Sequence, residues 1–289
     1  MKTSLITTSF GSKEYYYSEG EGQTIVLLSG MGGSLYEWNE IVESELSFLA
    51  YNRGGYGKSE STGETDATPH EELHSLLQAL HIDGKIVLAG FSYGGLIAQG
   101  FAMNYPDRVA GVILIDSTSI NMHRLDEVEV SDEKLNDDYW INMCDTLSAL
   151  TPDEINREQE PSLHPKQYGW NKDIQQALLN HDINPKLYAS VGRELRRWGG
   201  YAKSLQHFPF PSVPLVVLAR DQETVIKEQT ESGLPKSEIE ELEKVWYELL
   251  QEQRDLVPDS SYYVAEGSGH QIPINRPDLI QHAFERILK

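Results

Sequence analysis

The chain has 289 residues, long enough for one large domain or two small ones, and a chain of this size buries roughly 75% of the surface its unfolded form exposes. Its 24 Lys and Arg against 45 Asp and Glu give a net charge of −21, which argues against nucleic acid or an anionic membrane as a partner, since both call for a basic surface. The single cysteine, Cys144, excludes an internal disulfide framework and fits a reducing compartment, and 39% hydrophobic content with 15 Tyr and 5 Trp is core-building rather than disordered composition.

Residues 1–10 carry a Lys but no apolar core of a signal peptide, so a cytoplasmic protein is expected. Residues 4–8 and 14–18 alternate in polarity beside Gly11 and Gly20, which predicts an edge hairpin. Residues 25–29, 47–51, 86–90, 112–116, 215–219 and 262–266 are short apolar runs rich in Ile, Val and Leu. Such runs are what strands buried on both faces look like, and they fall far short of the ~20 residues of a membrane helix. Between them lie helical patterns. Thr68-Pro69-His70-Glu71 supplies a cap, a first-turn proline and the Glu of a capping box, followed by Leu73, Leu76, Leu77 and Leu80 at helical spacing. Residues 96–104 read as a second helix, ended by Pro106. Alternating strands and helices predict a mostly parallel sheet covered on both faces.

The alternation stops after Asp116. Residues 117–207 contain no buried-strand run, only amphipathic fragments with Trp140, Trp170 and Trp198, and read as a helical cap or lid inserted between two strands. A shorter helical elaboration spans residues 227–254.

The strongest chemical signal is Gly90-Phe91-Ser92-Tyr93-Gly94-Gly95, between an apolar run and a helical run. A sharp strand-to-helix reversal holds a serine in a strained conformation and lifts its Oγ off the sheet. Glycines on either side avoid collision, and the helix N-terminus aims N–H groups at an adjacent oxyanion. A hydroxyl nucleophile needs a base. Of nine histidines, His270 in Glu266-Gly267-Ser268-Gly269-His270, just past the last apolar run, has the most suggestive setting.

With these motifs the chain resembles the α/β-hydrolase superfamily. Four features stand in that family's order: Ser29-Gly30-Met31-Gly32-Gly33, Arg53-Gly54-Gly55-Tyr56-Gly57-Lys58-Ser59, the Ser92 elbow, and Gly267-Ser268-Gly269-His270. The resemblance implies an eight-stranded, mostly parallel sheet flanked by helices. The core would comprise residues 1–118 and 208–289, with a cap over 119–207 after the sixth strand. It also implies oxyanion-hole N–H groups from Met31 and Tyr93. Ser29 departs from the His that many members carry before the first glycine. For the triad acid, Asp116 at one strand end is favoured, with Asp221 and the neighbouring Glu223 at the next strand end as the alternative.

Three other patterns compete. His70-Glu71-Glu72-Leu73-His74 matches a zinc-protease helix, but its leucine stripe and cap already account for it. Gly57-Lys58-Ser59 imitates the end of a P-loop whose first glycine would fall at Asn52. The acidic residues form no D-x-D-x-D-G calcium loop. Neither metal nor cofactor is therefore expected. The expected function is that of a serine hydrolase acting on a small, apolar ester or related acyl substrate, and a carboxylesterase is the default. The alternative is a ligand-sensing or interaction protein on the same scaffold. For the hydrolase, the aromatic residues Tyr139, Trp140, Tyr168, Trp170, Tyr188 and Trp198 suggest an apolar pocket, although packing within the cap explains most of them. Residues 126–160 hold 12 Asp and Glu against two Lys and Arg, and residues 221–255 hold 11 against four, so the acidity sits mainly in the two helical additions.

Overall fold

A computed structural model describes residues 1–42, 45–60 and 67–289. The chain opens with β1 (Ser4–Thr8), β2 (Gly11–Ser18), β3 (Glu21–Leu28) and β4 (Leu46–Tyr51). The first helix, α1 (Pro69–Ala79), precedes β5 (Ile86–Phe91), α2 (Tyr93–Asn104) and β6 (Val109–Ile115). Four helices follow without a strand: α3 (Asp137–Ser148), α4 (Pro152–Gln159), α5 (Lys172–Asp182) and α6 (Pro185–Leu205). Then come β7 (Leu215–Arg220), α7 (Gln222–Glu231), α8 (Lys236–Arg254), β8 (Ser261–Ala265), α9 (Ile272–Asn275) and α10 (Pro277–Ile287).

The eight strands form one sheet in the order β1-β2-β4-β3-β5-β6-β7-β8. The β1/β2 and β2/β4 pairs are antiparallel, and every other pair is parallel. The expected hairpin is therefore present, although β2 pairs on both sides and only β1 lies at that edge. Alternation along each central strand explains why these runs are apolar throughout. Val26 and Leu28 of β3 enter a core with Leu73 of α1 and Leu96, Ile97 and Phe101 of α2. Ile25 and Leu27 enter the opposite core with Ile280, Ala283 and Phe284 of α10. Truncating a fully buried residue such as Phe284 to Ala would cost about 3–5 kcal/mol.

Local signals fix several boundaries. Thr68 caps α1, and its side chain and that of Glu71 bond reciprocally to each other's backbone N–H, with Pro69 at the first position. The second helix begins at Tyr93, three residues before its apolar periodicity becomes visible, so it starts directly on the elbow. After β3 the chain moves to β4 on one side and then to β5 on the other. The order thus reverses at the C-terminal ends of β3 and β5, the crevice where open α/β sheets take ligands.

Candidate active site

Ser92 stands at that reversal, with φ 53° and ψ −122°, a conformation that costs an L-residue about 1–3 kcal/mol. The surroundings hold it there. Its N–H donates to Ile115 O at 2.9 Å, and its carbonyl accepts from Gly95 N (2.9 Å) and Thr118 N (3.1 Å). A side chain is not admissible at Gly94, where a Cβ would lie 2.1 Å from Leu28 O, and one on Gly30 would press to 3.2 Å from Ser92 Cβ. The loop after β3 therefore runs against the serine as bare backbone.

The neighbouring strand ends are laced together. Asp116 N donates to Leu218 O (2.7 Å), and Asp221 N donates to Ser268 O in the loop that carries His270 (2.9 Å). The His270 ring lies 4.7 Å, centroid to centroid, from that of Phe91, the residue before the serine.

His270 Nδ1 is 2.5 Å from Asp116 Oδ2. The other oxygen, Oδ1, accepts from Trp246 Nε1 of α8 at 2.8 Å, and Arg220 Nη1 lies 3.5 Å from Oδ2. Burial alone would push the fully buried Asp116 carboxyl up. The charges of Arg220 and His270, with hydrogen bonds from His270 and Trp246, outweigh it and hold the group below its ordinary value. An ionised carboxylate only accepts, so Nδ1 carries the proton and Nε2 is left free to accept one. Arg220 is held in turn. Its guanidinium pairs with Glu243 of α8 and lies 4.3 Å from the centre of the Trp246 ring. Burial raises the Glu243 carboxyl above its ordinary value against the opposing pull of Arg220.

Asp221 does different work. It caps α7 by accepting from Glu223 N (3.1 Å), and its other oxygen accepts from Gly267 N (2.9 Å), which lowers its carboxyl below the ordinary value. The structure thus brings Ser92, Asp116 and His270 to one edge of the sheet, and Asp221 braces the loop that His270 stands on.

Around the loop after β3, Arg53 donates to Ser29 O (2.7 Å) and Gly30 O (2.9 Å). Ser29 Oγ accepts from Trp38 Nε1 at 2.9 Å, so the departure from His is absorbed by local packing. Met31 stands between these held carbonyls and Gly32, and Tyr93 is the first residue of α2.

The competing patterns have structural explanations. His70 Nδ1 is 2.9 Å from Tyr201 OH, and His74 stacks on Tyr105 with centroids 4.3 Å apart. Lys58 N donates to Glu14 Oε2 at 3.0 Å, so this N–H is already engaged by a carboxylate. The aromatic residues of 119–207 take several placements. Trp140 and Tyr168 are exposed, Trp170 donates to Glu40 and Trp198 to Asp137, and Tyr188 OH donates to Asp182 O. Nothing in the sequence spacing singles out Arg220, Glu243 or Trp246 as neighbours of the acid. Trp246 reads only as part of an apolar helical stripe, and Arg220 only as the neighbour of Asp221.

An elbow serine at the switch point of a mostly parallel, helix-covered sheet is the layout of a hydrolase with an α/β fold. A family model described as the alpha/beta hydrolase fold matches residues 23–277, and the chain belongs to that family. It is 35% identical over 107 residues to a pimeloyl-[acyl-carrier protein] methyl ester esterase of Aliivibrio salmonicida, a match that covers 36% of this chain and 40% of that one. It is 22% identical over 285 residues to a 2-hydroxy-6-oxo-6-(2'-aminophenyl)hexa-2,4-dienoic acid hydrolase of Metapseudomonas resinovorans, covering 94% and 86% of the two chains. Among solved structures, an esterase from Thermogutta terrifontis superposes over the whole of both chains with a TM-score of 0.65 at 22% identity. No helix among the described residues is long and apolar enough to cross a membrane.

Proposed function

We propose that this hydrolase works through a serine nucleophile, Ser92, with His270 as base, Asp116 as the acid that orients it, and the N–H groups of Met31 and Tyr93 as the oxyanion hole. The observation that carries the reading is a strained elbow serine next in the chain to Phe91, whose ring lies 4.7 Å from that of His270, together with a buried carboxylate on His270 Nδ1. His270 Nε2 takes the Ser92 proton as Oγ bonds to the acyl carbon. Charge moves to the acyl oxygen, which the two N–H groups receive. Collapse expels the alcohol, protonated by His270, and leaves an acyl-enzyme. Water then repeats the sequence and returns free acid and enzyme.

The substrate is a small acyl compound and an ester is the simplest choice. Relatives named as a methyl ester esterase and a dienoic acid hydrolase support hydrolysis of a carbonyl-activated bond. Residues 119–207 act as a cap over the switch point. Their acidic helices α3 and α4 disfavour anionic substrates at the mouth.

The test is labelling by a fluorophosphonate together with turnover of short p-nitrophenyl esters. Wild type labels and turns over, and Ser92→Ala does neither. Equal behaviour of the two proteins would sink the reading.

A further inference from the structure

The oxyanion-hole loop is held from one side by Arg53 and Tyr56 of the core, which meet Glu194, and by His181, both of these from the helices between β6 and β7. Arg53, 7% exposed, sends Nη1 to Ser29 O (2.7 Å) and Nη2 to Gly30 O (2.9 Å). The same guanidinium meets Glu194 of α6 at 2.7 Å through Nε and at 3.1 Å through Nη2. Glu194 also accepts from Tyr56 OH at 2.5 Å, and that hydroxyl in turn accepts from Gly32 N at 3.2 Å. From α5, His181 places Nε2 2.9 Å from Gly32 O, and its ring stacks on Tyr56 with centroids 5.9 Å apart. A carbonyl accepts, so this imidazole carries its proton on Nε2.

These contacts bear on catalysis because a peptide unit is planar and trans, and no cis peptide bond occurs among the described residues. The Gly30 carbonyl and the Met31 N–H belong to one such unit and point in opposite directions. By holding Gly30 O, Arg53 sets the direction of the Met31 N–H. Its guanidinium also lies 5.3 Å from the centre of the ring of Tyr93, whose N–H is the second donor. A guanidinium is free to turn unless its other edge is held, and Glu194 holds it.

We propose that Glu194 is a positioning residue that acts through Arg53: docking of α6 onto the core orients the oxyanion hole, so transition-state stabilisation depends on the inserted helices being in place. The proposal rests on the serine-hydrolase reading above. It also makes the dependence mutual, since whatever occupies the hole must stabilise the docked position of α6 by the same free energy.

The experiment has two arms. In the first, p-nitrophenyl acetate kinetics and the Ki of phenylboronic acid, which forms a tetrahedral adduct on Ser92, are measured for wild type, Glu194→Gln, Arg53→Met and the double variant. Loss of one oxyanion donor typically costs about 10²–10³ in kcat. A misdirected donor should cost less, so Glu194→Gln lowers kcat about tenfold to a hundredfold, with KM within about threefold. The boronic acid Ki rises by a factor similar to the fall in kcat. Adding Glu194→Gln to Arg53→Met has no further effect on kcat. Additive losses, or a KM effect alone, would overturn the proposal, because a merely structural contact predicts either.

The second arm uses wild type and so does not depend on any variant folding. Hydrogen exchange of the α6 amides (Pro185–Leu205) is followed with and without phenylboronic acid, and slower exchange in the occupied enzyme is expected. Unchanged exchange at saturating boronic acid would also overturn the proposal. If wild type itself fails to turn over esters and to label, the serine-hydrolase reading has failed; an active wild type with an unimpaired Glu194→Gln defeats this proposal alone.

Discussion

Exchanging Asp116 for Asn is the most discriminating perturbation, because the structure dictates which way the amide must face. Trp246 Nε1 donates to Oδ1 at 2.8 Å, and an NH2 group there would set two donors against each other. Arg220 Nη1, at 3.5 Å from Oδ2, is too distant to reverse that preference. The amide therefore turns its NH2 towards His270 Nδ1, which must then accept, and the ring proton moves to Nε2. An imidazole in that tautomer cannot take the Ser92 proton. The expected loss in kcat is on the order of 10³–10⁴, the scale of such a tautomer defect in a triad, or roughly 4–5.5 kcal/mol of transition-state stabilisation. Trp246→Phe alone leaves the carboxylate paired with His270 and Arg220, and should lower kcat by about tenfold or less, since a hydrogen bond to a charged group contributes about 1.5–3 kcal/mol, part of it to stability rather than rate. In the D116N background the sign reverses. Without the indole donor the amide can turn its oxygen towards His270, and Arg220 favours that turn, so the double variant should be faster than D116N. Asp221→Asn is the control. It keeps only one of two acceptors, for Glu223 N or Gly267 N, and should cost about 1 kcal/mol of stability with less than a tenfold change in kcat. The assay is p-nitrophenyl acetate hydrolysis with urea unfolding alongside. If Asp221→Asn is as damaging as Asp116→Asn, or if Trp246→Phe further slows D116N, the assignment of the acid is wrong.

Burial pushes the Glu37 carboxyl up to about 7 and that of Asp182 up to about 6. A raised carboxyl contributes stability below its unfolded value and loses it as pH rises through the folded one. Wild type should thus weaken by about 2–3 kcal/mol between about pH 4.5 and about pH 7.5 on account of Glu37, and Glu37→Gln should flatten that part of the urea-unfolding profile. Since Ser92 sits at φ 53°, Ser92→Gly should be more stable than Ser92→Ala by about 1–2 kcal/mol, read from the same unfolding curves. The buried Cys144 thiol, raised to about 11 by burial and then by Asp145, should resist an aromatic disulfide reagent at pH 8 until the protein is unfolded; rapid reaction of folded protein would contradict its placement. Arg220→Met leaves Asp116 and Glu243 buried without their cation and should cost about 3–5 kcal/mol, most of it recovered in an Arg220→Met, Glu243→Leu double variant that still turns over slowly.

How much of this was legible in the sequence depends on how local each signal is. The elbow is local: strand run, glycines, serine and helix occupy about twenty consecutive residues, and the strain at Ser92 follows from that order alone. The eight-stranded α/β fold is legible for the same reason, since strands buried on both faces write themselves as apolar runs such as residues 86–90. The partner of His270 is not local. Asp116 and Asp221 both follow apolar strand runs, and what separates them is Trp246, 130 residues from Asp116, together with Arg220 on the adjacent strand. Asp221 is occupied by the duties of a helix cap and a loop brace, both of which require knowing where Gly267 lies. The partners of the aromatic residues of 119–207 are equally non-local: the Trp170 indole donates to Glu40 and the Trp198 indole to Asp137, contacts that spacing alone does not reveal.

The two helical additions meet the core in the same way. Each half of the site is held by an arginine of the core, Arg53 behind the oxyanion loop and Arg220 beside the acid. Each arginine is faced by a glutamate from an added helix, Glu194 of α6 and Glu243 of α8. A guanidinium buried at a strand end is costly unless a carboxylate meets it, and here the carboxylate comes from a helix outside the sheet. The net charge of −21 therefore has two components. Most of the acids in α3, α4 and α8 are solvated, whereas Glu194 and Glu243 are counter-ions of Arg53 and Arg220; in the proposed mechanism the first arginine orients a backbone N–H and the second faces the Asp116 carboxylate. An Arg–Glu pair of this kind fixes direction more than it adds stability, which is what an oxyanion hole and a triad acid require. If the proposed mechanism holds, the geometry of the chemistry is tied to the docking of helices that are not part of the sheet.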